Sequence, residues 1–202
     1  MTPATLASAG MQRVLMLAYL LVWSWQGHVQ ASALLRQAPD RRMVILFDEP
    51  ETHLHPQWQR RLLPALLAAV KAVNPDLEVQ LLASTHSPLV LASMEPVMDD
   101  ARDRLFVLSL DPATKAVSID RTPFVKRGDA VNWLVSDVFG LPQARSVPAE
   151  QAIEAAERFM RGQAKDNPEG MRTAEEIHRT LLDLLGDRDP FWPRWLVKTG
   201  AV

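Results

Sequence analysis

Three side chains carry the chemistry this sequence can do: Asp48, Glu49 and His86. The two acids end an apolar run, Met43 to Phe47, and Pro50 follows them. A continuous apolar run of this length, rich in branched residues, suits a strand buried on both faces, as in a parallel sheet. Proline has no amide hydrogen to offer a ladder, so the strand stops there. The acids are thereby delivered to the carboxyl edge of a parallel strand, where open α/β sheets take their ligands. Side by side, they resist ionising together unless a cation or a shared proton compensates. Neighbours on a strand point to opposite faces, so the two divide the labour. Asp48 suits steadying magnesium, directly or through a water, and Glu49 suits orienting or deprotonating an attacking water. Taken alone, an Asp-Glu pair is as well read as the cap of the next turn.

The elements that must position these groups can be read on either side. Arg36 to Arg42 is polar, holds Pro39 and reads as a loop into the strand. Pro56 falls at a natural first helical position. Leu62, Leu63, Leu66, Leu67, Val70 and Val73 then trace one helical face, and Asn74-Pro75-Asp76 breaks the helix. Glu78 to Ala83 follows as a second buried strand, and strand–helix–strand of this length predicts a right-handed parallel crossover. Directly after it comes Ser84-Thr85-His86-Ser87-Pro88. Ser87 can cap a short helix begun by Pro88, which leaves His86 at the sheet edge near Glu49. A single histidine after a strand is ordinarily a satisfied structural residue, and taken alone His86 reads that way.

Met43–Glu49 resembles the Walker B strand of the ATP-binding-cassette class of P-loop ATPases, with the catalytic glutamate directly after the aspartate. The continuation Pro50-Glu51-Thr52-His53-Leu54-His55-Pro56 is similar to the soluble bacterial branch of RecF-like and OLD-like "AAA family ATPases", in which this segment is the D-loop that meets the opposite subunit. Upstream, Ser8-Ala9-Gly10-Met11-Gln12-Arg13 resembles the cassette signature, usually Leu-Ser-Gly-Gly-Gln or Leu-Ser-Ser-Gly, although Ala7 and Ala9 replace commoner residues. Ser8 offers a hydroxyl, Gly10 permits close backbone approach, and a helix N-terminus favours a phosphate. The resemblance implies ATP and Mg2+ as cofactors. It makes Asp48 the magnesium residue, Glu49 the base and His86 the switch histidine that contacts the γ-phosphate. Ser8, Gly10 and Gln12 would reach ATP held by a second subunit, and hydrolysis would open that dimer.

The expected fold is α/β: a partial P-loop NTPase of cassette type, residues 1–125, with a mostly parallel sheet and flanking helices, then a helical extension over 126–202. No Gly-x-x-x-x-Gly-Lys-Ser/Thr occurs in these 202 residues. In the resembled family that Walker A loop lies upstream of the signature, so the sequence looks like the C-terminal half of such an ATPase. The expected partner is the N-terminal Walker A half or a subunit that carries it. Alone, the chain is expected to bind ATP weakly and hydrolyse little. Relatives in that branch serve DNA repair or anti-phage defence. Two other readings stand beside this one: a non-catalytic regulatory subunit on the same half-fold, and a metal-dependent hydrolase using Asp48, Glu49, Glu51, His53, His55 and His86. His53 and His55 lack a helical His-x-x-x-His register, so turn hydrogen bonding suits them better.

Composition bounds the rest. With 202 residues, 48% of them hydrophobic, the chain can bury a core. A net charge of −2 gives no broad basic face for DNA, and neither DNA nor an effector protein is indicated by charge. No cysteine is present, which excludes disulfides and thiolate metal sites. Arg13, the apolar Val14–Trp23 and Ala31-Ser32-Ala33 imitate a secretory signal. The run is shorter than the roughly 20 residues a bilayer needs, and the signature reading takes precedence, so no membrane partner and a cytoplasmic location are expected. Leu105–Leu110 and Ala116–Ile119 read as strands joined at Asp111-Pro112-Ala113-Thr114. Helices are predicted with Val131, Leu134, Val135 and Val138 on one face, over Ala149 to Arg161, and from a capping box at Thr173 with Ile177, Leu181, Leu184 and Leu185 inward. The aromatic run Phe191–Trp195 reads as apolar anchors on a core or a partner.

Overall fold

A long helix, α1 (Ala9–Leu34), leads the chain. The computed structural model describes residues 8–200, and the chain divides into two compact units, one running through Trp133 and one from Leu134. Ser8 caps α1 by accepting a hydrogen bond from the Met11 amide at 3.4 Å. The helix is rich in Leu, Ala, Met and Gln, all good helix formers. It ends where Arg36 takes a left-handed φ of 56°. Of its long apolar series only Leu21 is buried, while Tyr19, Trp23 and Leu34 stay exposed. None of the helices among the described residues is long and apolar enough to cross a membrane.

Strand β1 (Arg42–Asp48), helix α2 (Pro56–Val73) and strand β2 (Glu78–Ser84) follow as expected. The strands pair in parallel, with Asp48 opposite Ser84 at the carboxyl end. Met43, Ile45 and Val79 pack against the buried Leu21, Val70 and Leu77, together with Trp25 and Leu66. Here the expectation of a strand buried on both faces is corrected. Burial alternates along β1, and Val44 and Leu46 are 61% and 76% exposed. Helices α1 and α2 supply cover for one face, and no element of the described residues covers the other.

Ser87 caps α3 (Pro88–Met94), accepting from the Val90 amide. Strands β3 (Leu105–Leu110) and β4 (Val117–Thr122) form a separate antiparallel pair. The expected mostly parallel sheet is therefore present as β1–β2 alone. Asp111 closes the β3–β4 turn by accepting from the Ala113 amide and the Thr114 hydroxyl. Glu95, at the end of α3, gathers the chain further on. It accepts from the Arg127 amide at 2.7 Å, the Gly128 amide at 3.0 Å and the Trp133 indole at 2.8 Å.

The helix expected through Val138 is shorter: α4 spans Ala130–Leu134. Its inward residue is Trp133, 1% exposed, whereas Val131 and Val135 face solvent. One aromatic anchor decides the orientation, and the Ser136 carbonyl then accepts from the Phe139 and Gly140 amides in a turn. The second unit holds α5 (Val147–Met160), α6 (Ala174–Leu184) and α7 (Trp192–Thr199). Ala152, Ile153, Ile177, Leu181, Trp192 and Trp195 lie at its core, so the aromatic run is an internal anchor. The Thr173–Glu176 capping box is formed in both directions. Leu185 is buried as expected, and Leu184 is partly exposed.

Candidate active site at the carboxyl edge of the parallel pair

Parallel pairing brings the last residues of β1 and β2 to the same edge, and both chains then turn away. The Ser84 hydroxyl donates to Asp48 Oδ1 at 2.5 Å and accepts from the Glu49 amide at 3.2 Å. One hydroxyl thus fixes the aspartate and the start of the next turn. Glu49 leaves strand geometry with φ 43°, a left-handed conformation that costs a non-glycine residue about 1–3 kcal/mol. The turn aims its carboxylate across the edge. Glu49 Oε1 lies 3.4 Å from His86 Nε2, and Oε2 accepts from the Thr52 hydroxyl at 3.2 Å. The imidazole is 87% exposed and the carboxylate 48%, so both groups face a molecule arriving from solvent.

The turn after Glu49 is held from two sides. From α1, the Arg13 guanidinium donates to the Thr52 carbonyl at 2.9 Å and to the Glu49 carbonyl at 3.0 Å. A Cβ at Gly10 would stand 3.3 Å from the His53 carbonyl oxygen and from Leu54 Cδ2. The absence of a side chain at Gly10 thus lets α1 settle against this turn, a use not anticipated for it. From the other side, buried Glu51 accepts from the Thr85 hydroxyl at 2.7 Å and from the His86 amide at 2.8 Å. His53 adopts φ 65° within the turn, and His55 caps α2 by accepting from the Gln57 amide.

Glu49 and His86 are therefore brought together, and Asp48 ends its strand at the same edge with its carboxylate held by Ser84. Ser8, Gly10 and Gln12 lie on the first turn of α1, whose Arg13 reaches the same turn, so the signature-like segment and the acid pair are neighbours through 49–54. The six residues of the metal-hydrolase reading do not converge. Glu51 turns inward, His55 is a helix cap, and among the described residues no three His, Asp or Glu side chains gather as a metal-ligand set. A single hard carboxylate at a solvent-facing strand end does fit magnesium, which keeps most of its waters and takes one or two carboxylates. Asp48 meets that description. Arg13, Thr52 and Ser84 were missed as site residues, and Glu51 was named only as a metal ligand. Register would have found Ser84, because the crossover sets it opposite Asp48.

Residues 2–92 match the family model described as "AAA domain, putative AbiEii toxin, Type IV TA system". This segment is similar to that of AAA-type ATPases. It is 31% identical over 133 residues to the "Septu protein PtuA" of Bacillus thuringiensis, an alignment that takes in 64% of this chain and 30% of the relative. It is 26% identical over 140 residues to the "Retron Vc95 probable ATPase" of Vibrio cholerae serotype O1 biovar El Tor, covering 68% of this chain and 24% of the relative. With the "Retron Ec83 probable ATPase" of Escherichia coli it shares 27% identity over 100 residues, 50% of this chain and 15% of the relative. The chain thus spans less than a third of each of these relatives. The matched family segment contains α1, both parallel strands and the Asp48–Glu49–His86 edge.

Proposed function

We propose that residues 1–125 are the water-activating half of a nucleotide-driven ATPase switch, with 126–202 as its helical extension. The observation that carries this reading is the contact of Glu49 with His86 at the carboxyl ends of two paired parallel strands, open to solvent, with Asp48 at the same edge. Glu49 takes a proton from the attacking water, and its left-handed backbone holds the carboxylate out over the edge. His86 stands beside it to donate a hydrogen bond to charge developing on the transferred phosphoryl group. Asp48, its Oδ1 fixed by Ser84, holds magnesium directly or through a water. Magnesium, when bound, neutralises charge on the phosphate oxygens.

The phosphate cradle comes from a Walker A-bearing segment outside these 202 residues, in the same polypeptide or in a partner subunit. We place it over the uncovered face of the parallel pair, where Val44, Leu46 and Leu82 are exposed. Ser8, Gly10 and Gln12 of one subunit would then meet a triphosphate held by a second, so that nucleotide binding closes a dimer and hydrolysis opens it. Ser8 accepts a hydrogen bond as a cap, and its hydroxyl hydrogen is left to donate to phosphate. The DNA-repair or anti-phage service implied by the resemblance belongs to this reading, as does a cytoplasmic location.

The test is Glu49→Gln in the assembly that includes the Walker A-bearing segment. Turnover should fall at least about 100-fold while ATP stays bound, since the amide cannot accept the proton. Undiminished turnover removes Glu49 from the base role. The 202-residue chain alone should bind ATP weakly, and robust single-turnover hydrolysis by it would overturn the divided-site reading.

A further inference from the structure

Glu51 lies two residues beyond Glu49 and does the opposite thing. It is 8% exposed, and its carboxylate points into the protein. Oε1 takes both hydrogen bonds, from the Thr85 hydroxyl and the His86 amide. Oε2 is buried and has no hydrogen-bond partner among the described residues. Burial of a carboxylate with one oxygen unpaired is costly, and such groups persist where their geometry is needed. A second strut lies beside it: Gln59 donates to the Leu54 carbonyl at 3.0 Å and accepts from the Ser87 hydroxyl at 2.8 Å. The 51–54 turn and the 85–87 segment are thus tied at two points. The His86 ring is 87% exposed, so packing does not hold it; its anchored backbone does.

Resting on the functional reading above, we propose that Glu51 is a positioning residue that sets where His86 stands against Glu49 and passes movement of the 50–54 turn to the imidazole. If that turn meets a second subunit, closure of the dimer and alignment of the histidine become one event. Oε1 accepts from both the Thr85 hydroxyl and the His86 amide, so a shift of the turn cannot leave His86 behind without breaking a hydrogen bond to a carboxylate. No catalytic contact is asked of Glu51; it acts through His86 alone.

Two arms test this. In the first, hydrogen exchange of the His86 amide is measured by NMR in the 202-residue chain. Glu51→Asp is one methylene shorter and cannot span the two contacts; it should speed that exchange about tenfold or more while α2 amides hold. Glu51→Gln keeps the Oε1 acceptor and should stay within about threefold. Unchanged exchange in Glu51→Asp, or an equal loss in both variants, overturns the proposal. In the second arm, ATP turnover is measured in the assembly. Glu51→Asp should lower kcat about tenfold with KM for ATP within about twofold, and should add nothing in a His86→Ala background. A merely structural role would lower activity in both backgrounds, and that result also overturns it. If the unmutated assembly hydrolyses no ATP, the functional reading fails, and the exchange arm decides the role of Glu51 by itself. Should Glu51→Asp not fold, Glu51→Gln carries both arms: exchange or kcat altered beyond threefold counts against the proposal.

Discussion

Removing the Arg13 guanidinium should loosen the turn that carries Glu49 without disturbing the helix that carries Arg13. The half-buried side chain leaves the first turns of α1 and donates to the carbonyls of Thr52 and Glu49, at 2.9 and 3.0 Å. Two residues of the bridged turn, Glu49 and His53, sit at positive φ, and each such conformation costs about 1–3 kcal/mol. The closures within the turn are the Thr52 amide on Glu49 O and the Leu54 amide on Glu51 O. Hydrogen bonds from a charged donor contribute about 1.5–3 kcal/mol each, and the exposed one to Glu49 takes less than that range. The two together therefore hold the turn by about 2–3 kcal/mol. In Arg13→Met, which keeps the apolar stem, the Thr52 and Leu54 amides should exchange about 30- to 100-fold faster, at about 1.4 kcal/mol per tenfold. Arg13→Lys keeps the charge but loses the fork, and should fall between. NMR hydrogen exchange on the 202-residue chain reads both amides directly. If Arg13→Met leaves them within about threefold of their original rates while α1 stays protected, the turn is held by its own closures and by Glu51, and the reasoning fails.

The remaining predictions concern strain and two buried anchors. At Glu49 the left-handed φ favours glycine, so Glu49→Gly should be more stable than Glu49→Ala by about 1 kcal/mol although both lose the base; equal stability in urea unfolding would mean the turn relaxes. Glu95→Ala should cost about 2–4 kcal/mol by leaving the Arg127 and Gly128 amides and the buried Trp133 indole without their acceptor, seen as faster exchange at those amides. Burial pushes the Glu95 carboxyl up, but the Arg127, Gly128 and Trp133 donors outweigh it and hold the group below the ordinary carboxylate range. Its stabilisation is therefore complete above that range and is lost as pH falls through the folded value, a loss that Glu95→Gln should flatten. In the second unit Asp189 accepts from Arg145 at 2.8 and 3.1 Å and from the Phe191 amide at 2.8 Å. Asp189→Ala should cost about 1–3 kcal/mol, since the pair is only partly screened, and unchanged tryptophan-monitored unfolding would show the pair to be idle.

What could be read from residues alone was the part written in local chemistry. Pro56 and Asn74 bound α2 because one lacks an amide and the other ends the helix in an extended conformation. Ser87 and Thr173 announced their caps by type and spacing. The placement of His86 followed from strand length and crossover rules, which need no knowledge of the rest. What escaped was decided over long sequence distances or by size. Arg13 reaches 36 and 39 residues ahead, and nothing in its own neighbourhood marks that reach; by type and place it reads as part of a signature or a false leader. Val131 and Val135 carried the right periodicity, but Trp133 has more surface to bury and a partner in Glu95, so the short helix turned the other way. Met43–Phe47 looked buried on both sides because apolar content cannot tell one covered face from two. The structure leaves one face of that strand without a neighbour among the described residues.

The division of labour expected for two acids extends to a third, and environment rather than residue type makes the division. Asp48, Glu49 and Glu51 fall within four positions. Asp48 ends a strand and is fixed by the hydroxyl of the residue its register puts opposite, so its oxygens stay at the edge, where a hard cation can use them. Glu49 is thrown out of strand geometry by one backbone angle and meets an imidazole in the open, which suits a group that must gain and lose a proton. Glu51, one proline further on, is driven inward and spends its acceptor on a backbone amide and a hydroxyl, which suits a group that must not move. Exchanging any two of these roles would require moving the backbone. The Pro50 ring and the left-handed turn at Glu49, clamped by Arg13, make that movement expensive. The site is thus built less by the acids than by the turn that distributes them.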